Sequence, residues 1–535
     1  MTRLMSAGAV AMVAGAMPLP FTGEARAQAV WIGGTDSDYH TASNWSPAAV
    51  PNSTAINLQF GIAALNTTIS TAAGSNAAAF VFDAGAPPFT FNIGPAATGY
   101  GLHGAGIINN SGFVQTINLH NAGLIMNNSA SMDANVVLNM TGSSQVDLKD
   151  SSSGGLAAFN LNSDLGVLIT GDNHAVSMGS LSGTGWRVQF SGNNQSLTIG
   201  GNNQSTSYSG QLWETGSNAS LIKVGTGTLT LSGSNNYTGG TTISGGILSV
   251  SSNGHLGSAS GAVTLNGGTL RATGTAFNST SRSISLGALG GGMDINNAAN
   301  NFTVTQGISG PGGLTKLGAG TLILAGNSSY SGATTVSAGR LFVNGSIASS
   351  SLTTVESGGT LGGIGTVGNT TVNAGGILSA GLSPGTLTVD GNLTLNAGST
   401  SVFEFGAPGV VGGASNDLVI VNGNLSLGGT LQTPGAVSGY YRLFNVAGTT
   451  SGAFSAVPSG ATVSTDIPNQ VNLLVNQGGQ RVSGTESIRS ATARWTAATA
   501  PGTPRAPTGP ALQDRLASTT TGAARSACLP VPPAR

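Results

Sequence analysis

The 535-residue sequence has a single cysteine, and charged residues make up only 7% of it. An ordinary soluble domain carries roughly 25% charged residues. With Cys528 alone, no internal disulfide can form, so stability must come from packing and backbone pairing. Seventeen basic and eighteen acidic residues leave a formal net charge of -1. No basic surplus is available to neutralise phosphates, which excludes nucleic acid as an expected partner. Beyond the N-terminus no window offers eighteen apolar residues in a row, so no membrane-spanning helix is expected there. Glycine is plentiful, at 85 residues, but does not fall at every third position as collagen demands. At 39% apolar, the chain can bury a core.

Residues 1–29 read as a secretory signal. Arg3 supplies the positive start, Leu4 to Phe21 form an Ala-, Met- and Val-rich stretch, and Ala27-Gln28-Ala29 is a small-residue cleavage site. Pro18 and Pro20 interrupt a stretch already too short to span a bilayer. The mature chain is expected to begin near Val30 and to be exported.

Self-similarity is the strongest signal in the chain. LIKVGTGTLTLSGSNNYTGGTTISGGILSV, residues 221–250, aligns without a gap to LTKLGAGTLILAGNSSYSGATTVSAGRLFV, residues 314–343. The offset is 93 residues, and 16 of 30 positions are identical, among them Lys223/Lys316, Gly227/Gly320 and Tyr237/Tyr330. Within each copy the period is two, as in Thr228-Leu229-Thr230-Leu231. Further short alternating runs occur at Val263–Leu265, Leu387–Val389, Leu393–Leu395 and Leu425–Leu427, punctuated by Gly, Asn and Ser. No helical period competes.

Length and repetition favour a β-solenoid over a sandwich, whose usual range is about 100 to 250 residues. Rungs about 4.8 Å apart would stack equivalent positions in register. Stacked like charges repel, whereas Ser, Thr and Asn form uncharged hydrogen-bonding ladders. The scarcity of charge then follows from the fold. At roughly 20 to 25 residues per rung, the chain would make on the order of 20 rungs and span on the order of 100 Å.

The pattern L-x-K-x-G-x-G-T-L-x-L-x-G-x-x-x-Y-x-G resembles the autotransporter-associated β-strand repeat, matched at 221–250 and 314–343. Residues 358–430 are similar to the segment that follows such repeats, and 439–475 to the last strands of a passenger domain. Trp31, Asn44-Trp45 and Pro51 resemble the W…NW…P opening of many passengers. The resemblance implies an all-β fold, a right-handed parallel β-helix, exported from a Gram-negative cell. It divides the chain into a signal peptide (1–29), an N-terminal passenger β-helix (30–219), the repeat region (220–430), terminal strands (431–478) and a tail (479–535). The family normally continues into a membrane β-barrel of roughly a dozen strands, each needing about 9 to 11 residues. Residues 481–535 instead hold seven Arg and seven Pro and do not alternate. The expectation is a low-complexity, disordered tail without a translocator barrel, either a genuine end or the product of truncation or frameshift.

Catalytic and binding patterns are few. Gly381-Leu382-Ser383-Pro384-Gly385 fits G-x-S-x-G, but Pro384 lacks the N–H that an oxyanion hole needs after the serine. Gly363–Gly368 fits G-x-G-x-x-G without a following helix. His40, His103, His120, His174 and His255 lack metal-ligand spacing. Asp36 and Asp38 could hold a cation, although a solvated loop is the simpler reading. Tyr237 and Tyr330 are expected to pack across a rung. The densest acidic group is Asp133, Asp147, Asp150, Asp164 and Asp172, in which Asp147 and Asp150 flank Lys149.

No catalytic, cofactor or metal site is therefore assigned. The expected function is a non-catalytic surface or secreted passenger acting in adhesion, aggregation or display. Its expected partners are cell-surface glycans or proteins, or other copies of itself, with an outer-membrane translocator supplied from outside this chain. The alternatives are a polysaccharide-active β-helix enzyme, working through Asp147, Lys149 and Asp150, and a passenger remnant without retained function.

Overall fold

The computed structural model describes residues 27–95, 99–382 and 384–476. These form a parallel β-solenoid of about 18 turns. There is no α-helix among the described residues, only short 3-10 turns at Ala42–Asn44 and Asn253–Leu256. The period-two runs become strands as expected. In Thr228–Leu231, Leu229 and Leu231 point inward and are buried, while the threonines face outward. Thr386–Val389, Leu393–Leu395 and Leu425–Leu427 repeat that alternation. The inward Leu, Ile, Val and Phe side chains form one continuous core along the coil.

From Ala175 onward each turn contributes to three faces, each a stack of mainly parallel strands, whereas the turns before it supply strands to two. One face runs through an 11-stranded and then an 8-stranded sheet, the second through 6 and then 12 strands, and the third through 7 and 7. Where regular strand pairing lapses, backbone bonds carry each face across the gap. The Gly183–Tyr208 bridge joins the second face, and Ser329 N–H donates to Ile308 C=O at 2.8 Å on the third.

Strands stack in register, but the two repeat copies do not share a face. Ser220–Lys223 pairs onward through Thr241–Ile243, Val263–Leu265, Ile284–Leu286 and Ile308–Ser309. The second copy opens with Leu314–Leu317, which pairs with Gly291–Ile295 in the neighbouring sheet. The 93-residue offset is thus four turns plus one face. Stacking acts between successive turns, so the repeat needs only a local environment that any face can offer.

In-register stacking restricts charge as expected. No two like charges stand opposite each other in the paired strands of the described residues, and Arg271 lies against Asp294 on the next rung, Nε to Oδ2 2.7 Å.

Antiparallel strands cap one face of the coil at each end. Gln28–Trp31 pairs antiparallel with Trp45–Ser46 before joining the parallel stack. The W…NW…P residues build this first cap. Trp31 and Trp45 meet edge to face at 5.0 Å, Trp45 Nε1 donates to Tyr39 C=O, and the Tyr39 hydroxyl donates to Pro51 C=O at 2.6 Å. At the other end Gln470–Val475 runs antiparallel to both Gly439–Val446 and Ala461–Ser464. The caps occupy backbone donors and acceptors that would otherwise template further strands.

The first strand starts earlier than the expected mature N-terminus. Gln28 and Ala29 pair with Asn57 and Leu58, and Ala29 is buried. Residues 1–26 of the expected signal and the 479–535 tail lie outside the described residues.

Candidate functional site

The residues most specific to the repeat point into the coil. Lys223 and Lys316 are buried at corners. Lys223 Nζ donates to the carbonyls of Val224 (2.6 Å), Gly225 and Gly245. Lys316 Nζ repeats this with Leu317 (2.7 Å), Gly318 (2.8 Å) and Ala338 (3.1 Å). Each ammonium therefore ties its own corner to that of the next turn. Burial lowers both amines, Lys316 to about 8. Gly225 and Gly318 stand at φ +68° and +73° beside these amines. A Cβ on Gly227 or Gly320 would lie 2.3 or 2.4 Å from a carbonyl oxygen of the turn beneath.

The paired tyrosines also pack inside. Tyr237 and Tyr330 are fully buried, and each hydroxyl meets a threonine, Thr241 or Thr334, at 2.7 Å. Burial pushes both phenols up to about 12. The K…G…Y signature is thus corner chemistry and holds no ligand-facing group.

The outer surface carries the expected uncharged ladders. Asn118 donates to Asn92 (2.8 Å), Asn139 to Asn118 (2.9 Å), Asn160 to Asn139 (2.7 Å), and Ser182 donates to Asn160. A second ladder, Asn173, Asn194 and Asn218, climbs a corner where all three residues have positive φ. Asparagine shares with glycine the task of turning corners, because its amide bonds locally and tolerates the left-handed region.

The candidate chemical residues are spread along the coil. Asp36 Oδ1 accepts from Asp38 N–H and from Asn44 Nδ2, and Oδ2 accepts from the Thr41 hydroxyl, so this carboxylate is occupied within its own loop. Asp133, Asp150 and Asp172 accept backbone N–H groups of Asn109, Asn128 and Asn193. Asp147 lies 3.8 Å from Lys149 Nζ and accepts from Gln145, while Asp150 turns the chain at φ +57°. This arrangement presents no carboxylate pair across a cleft.

The histidines join local networks. His103 bridges Asn76 and Asn127, His120 meets Thr141 and Asn121, and His40 lies 3.7 Å from Asp38. His174 is buried with a carbonyl oxygen on each ring nitrogen, Thr170 at 2.8 Å and Ser152 at 2.7 Å. Burial lowers His255, whose Nδ1 accepts from Ser251 N–H. No group of three His, Cys, Asp or Glu side chains suited to a metal occurs among the described residues. Ser383 of G-x-S-x-G lies outside them. The Gly363–Gly368 motif spans the end of one strand and the Thr366–Val367 strand of the next face.

Several buried charges escaped the sequence reading. Arg282 donates to the carbonyls of Ser258, Gly261, Asn253 and Gly257, tying down the 251–261 loop with no carboxylate partner among the described residues. Asp417 accepts N–H bonds from Gly385 and Glu404, both at 2.8 Å, and burial pushes its carboxyl up to about 6. Beside it lies a recess of about 440 Å³ that includes Arg340, Phe342, Ile377, Val402 and Glu404. A shallower recess of about 540 Å³ opens around Trp186. Neither belongs to the repeat signature, which is why self-similarity gave no hint of them.

A capped parallel β-solenoid, cornered by buried lysines and laddered by asparagine, defines the class of protein. The passenger-associated-transport-repeat family matches residues 221–250 and 314–342. The chain is also similar to "Adhesin BmaC autotransporter" of Brucella suis biovar 1 (strain 1330), at 44% identity over 123 residues. That alignment spans 21% of this chain and 4% of the relative. Fold, repeats and this partial similarity together support a relation to autotransporter passengers that carry such repeats.

Proposed function

We propose that this chain is a non-catalytic passenger, exported and held at or released from the cell surface, where it acts in adhesion. The observation that carries the reading is the 44% identity with an adhesin autotransporter over 123 residues. The surface chemistry supports it. Outward Asn, Ser and Thr columns are held rung to rung by hydrogen bonds, which makes a rigid display scaffold. Such a surface suits contact with uncharged polar partners such as glycans or protein backbones. The outer-membrane translocator is supplied by a segment or protein other than residues 27–476.

The test is adhesion by the purified chain. Beads carrying it should retain epithelial or bacterial cells, and soluble chain should compete that retention away. Beads that retain no more cells than bare beads, across a broad panel, would remove the adhesion reading.

A further inference from the structure

An exposed tryptophan leaves a large apolar face in water at a cost in free energy. Trp31 and Trp45 are 1% exposed, whereas Trp186 is 48% exposed. It sits at a corner of the N-terminal half, just before the Arg187–Phe190 strand. Its backbone is locked on both sides, with Trp186 N–H donating to Ser163 C=O at 3.0 Å and Gln211 N–H donating to Trp186 C=O at 2.9 Å. The Arg187 guanidinium lies 3.8 Å from the centroid of the indole and braces the ring.

The indole borders a recess of about 540 Å³, completed by Asn162, Ser163, Asp164, Thr184 and Gly185. The following turns leave it uncovered. A Cβ on Gly210 would fall 2.0 Å from Gly185 oxygen, and one on Gly233 would fall 1.9 Å from Gly210 oxygen, so this corner must remain glycine for two further turns. The polar groups around the ring are aimed and few. Asn162 Oδ1 accepts from Thr184 N–H at 3.1 Å and from its hydroxyl at 3.4 Å, which orients the amide and leaves its NH2 as the donor. The exposed carboxylate of Asp164 stands at the same rim.

We propose that this corner is a saccharide subsite that takes one neutral pyranose residue of a glycan. The C–H face of a pyranose stacks on the negative face of the indole. Adjacent sugar hydroxyls donate to the two oxygens of Asp164 and accept from the Asn162 amide, which fixes the orientation of the ring. Asp164 at the rim and the Arg187 guanidinium on the indole offset each other, so no net charge draws in a sugar that carries its own carboxylate. Arg187 and Thr184 hold the ring and the amide before binding, so little ordering of either is required. The proposal deepens the adhesion reading and rests on it for its biological setting, but the site can be tested separately.

The experiment uses the full chain on an array of neutral and acidic glycans, with titration of the best glycan followed by isothermal titration calorimetry. The same preparations are assayed for cell retention. Trp186→Ala and Asp164→Asn should each weaken glycan binding by about tenfold or more, equivalent to about 1.4 kcal/mol, with unchanged circular dichroism. Both side chains are exposed, so folding should survive either change. Binding of neutral glycans with wild-type strength by both variants overturns the subsite, as does binding confined to sialylated or uronic glycans, or no glycan binding at all. Cell retention without glycan binding removes the subsite and leaves adhesion standing. Glycan binding lost in the variants, without cell retention by any protein, supports the subsite and removes adhesion.

Discussion

Lys316 shows how a single residue reconciles a charged group with an apolar coil. Its amine replaces water with three carbonyls, two from its own corner and one from the next turn. Lys316→Met keeps the stem volume and removes the donors. Carbonyls left without partners should cost about 1–3 kcal/mol, read as a lower urea midpoint. The pH dependence has a definite sign. Burial lowers Lys316 to about 8 from its ordinary 10.5, so between those values the unfolded chain binds more protons than the folded one. Stability should therefore rise with pH from about 8 and approach its full value near 10.5. The opposing loss from Tyr237 and Tyr330, raised from 10.0 to about 12, begins only above pH 10. Urea midpoints from pH 7.5 to 9.5 should climb in the wild type and climb less in Lys316→Met. An equal slope in both would show that the lysine is not the source. The two tyrosines should also differ. Thr334 meets Ser350 at 2.8 Å in addition to Tyr330, whereas the Thr241 hydroxyl depends on Tyr237. Tyr237→Phe should then cost about 1 kcal/mol and Tyr330→Phe less. The sequence made these residues conspicuous by recurrence but could not show which way they face. Recurrence marks a shared requirement, and only burial shows that the requirement here is structural.

At the scale of the element, strands and ladders were largely legible, because period two and the shortage of charge both follow from stacking. Their partners were less so. Asn118, Asn139 and Asn160 are separated by 21 residues each, yet turns elsewhere range more widely, as between Val389 and Val421. Only the folded register shows which asparagines meet. Asn139 accepts from Asn160 and donates to Asn118, so Asn139→Asp removes a donor and sets a carboxylate against the Asn118 carbonyl. It should cost about 1–3 kcal/mol in thermal or urea unfolding, more than Asn139→Ala, which leaves no charge behind. An aspartate no worse than alanine would mean that the ladder is too wet to matter. The first strand bears equally on the expected export signal. Cleavage after Ala29 would remove Gln28 and the buried Ala29 from their pairing with Asn57 and Leu58. Ala25-Arg26-Ala27 offers a second small-residue site two residues earlier. N-terminal sequencing of exported protein should therefore begin at Gln28. A start at Val30 would show that the strand forms without its first two residues.

At the scale of the whole coil, local bonding and end protection decide behaviour. Each turn contacts chiefly its neighbours, so stability resembles a chain of coupled units and damage should spread from the nearest open end. The 93-residue repeat reflects the same locality, since its copies keep their chemistry on different faces. Sequence could establish that copies exist, but four turns plus one face depends on turn lengths that vary along the chain. The C-terminal cap offers the clearest test. Gln470–Val475 lies between Gly439–Val446 and Ala461–Ser464, and helps bury Tyr441, Leu443 and Phe444. Relative to a chain ending at Asn476, which keeps both cap strands, one ending at Gly460 exposes the edge of Gly439–Val446 and that apolar row. Hydrogen exchange should show lost amide protection in 418–446, fading over the next few turns toward the N-terminus, while turns near Leu58–Ile117 keep theirs. The shortened chain should also self-associate, because an exposed parallel edge templates further strands. Uniform loss of protection along the entire coil would show one cooperative unit instead, and unchanged protection in 418–446 would show that the coil needs no cap at this end.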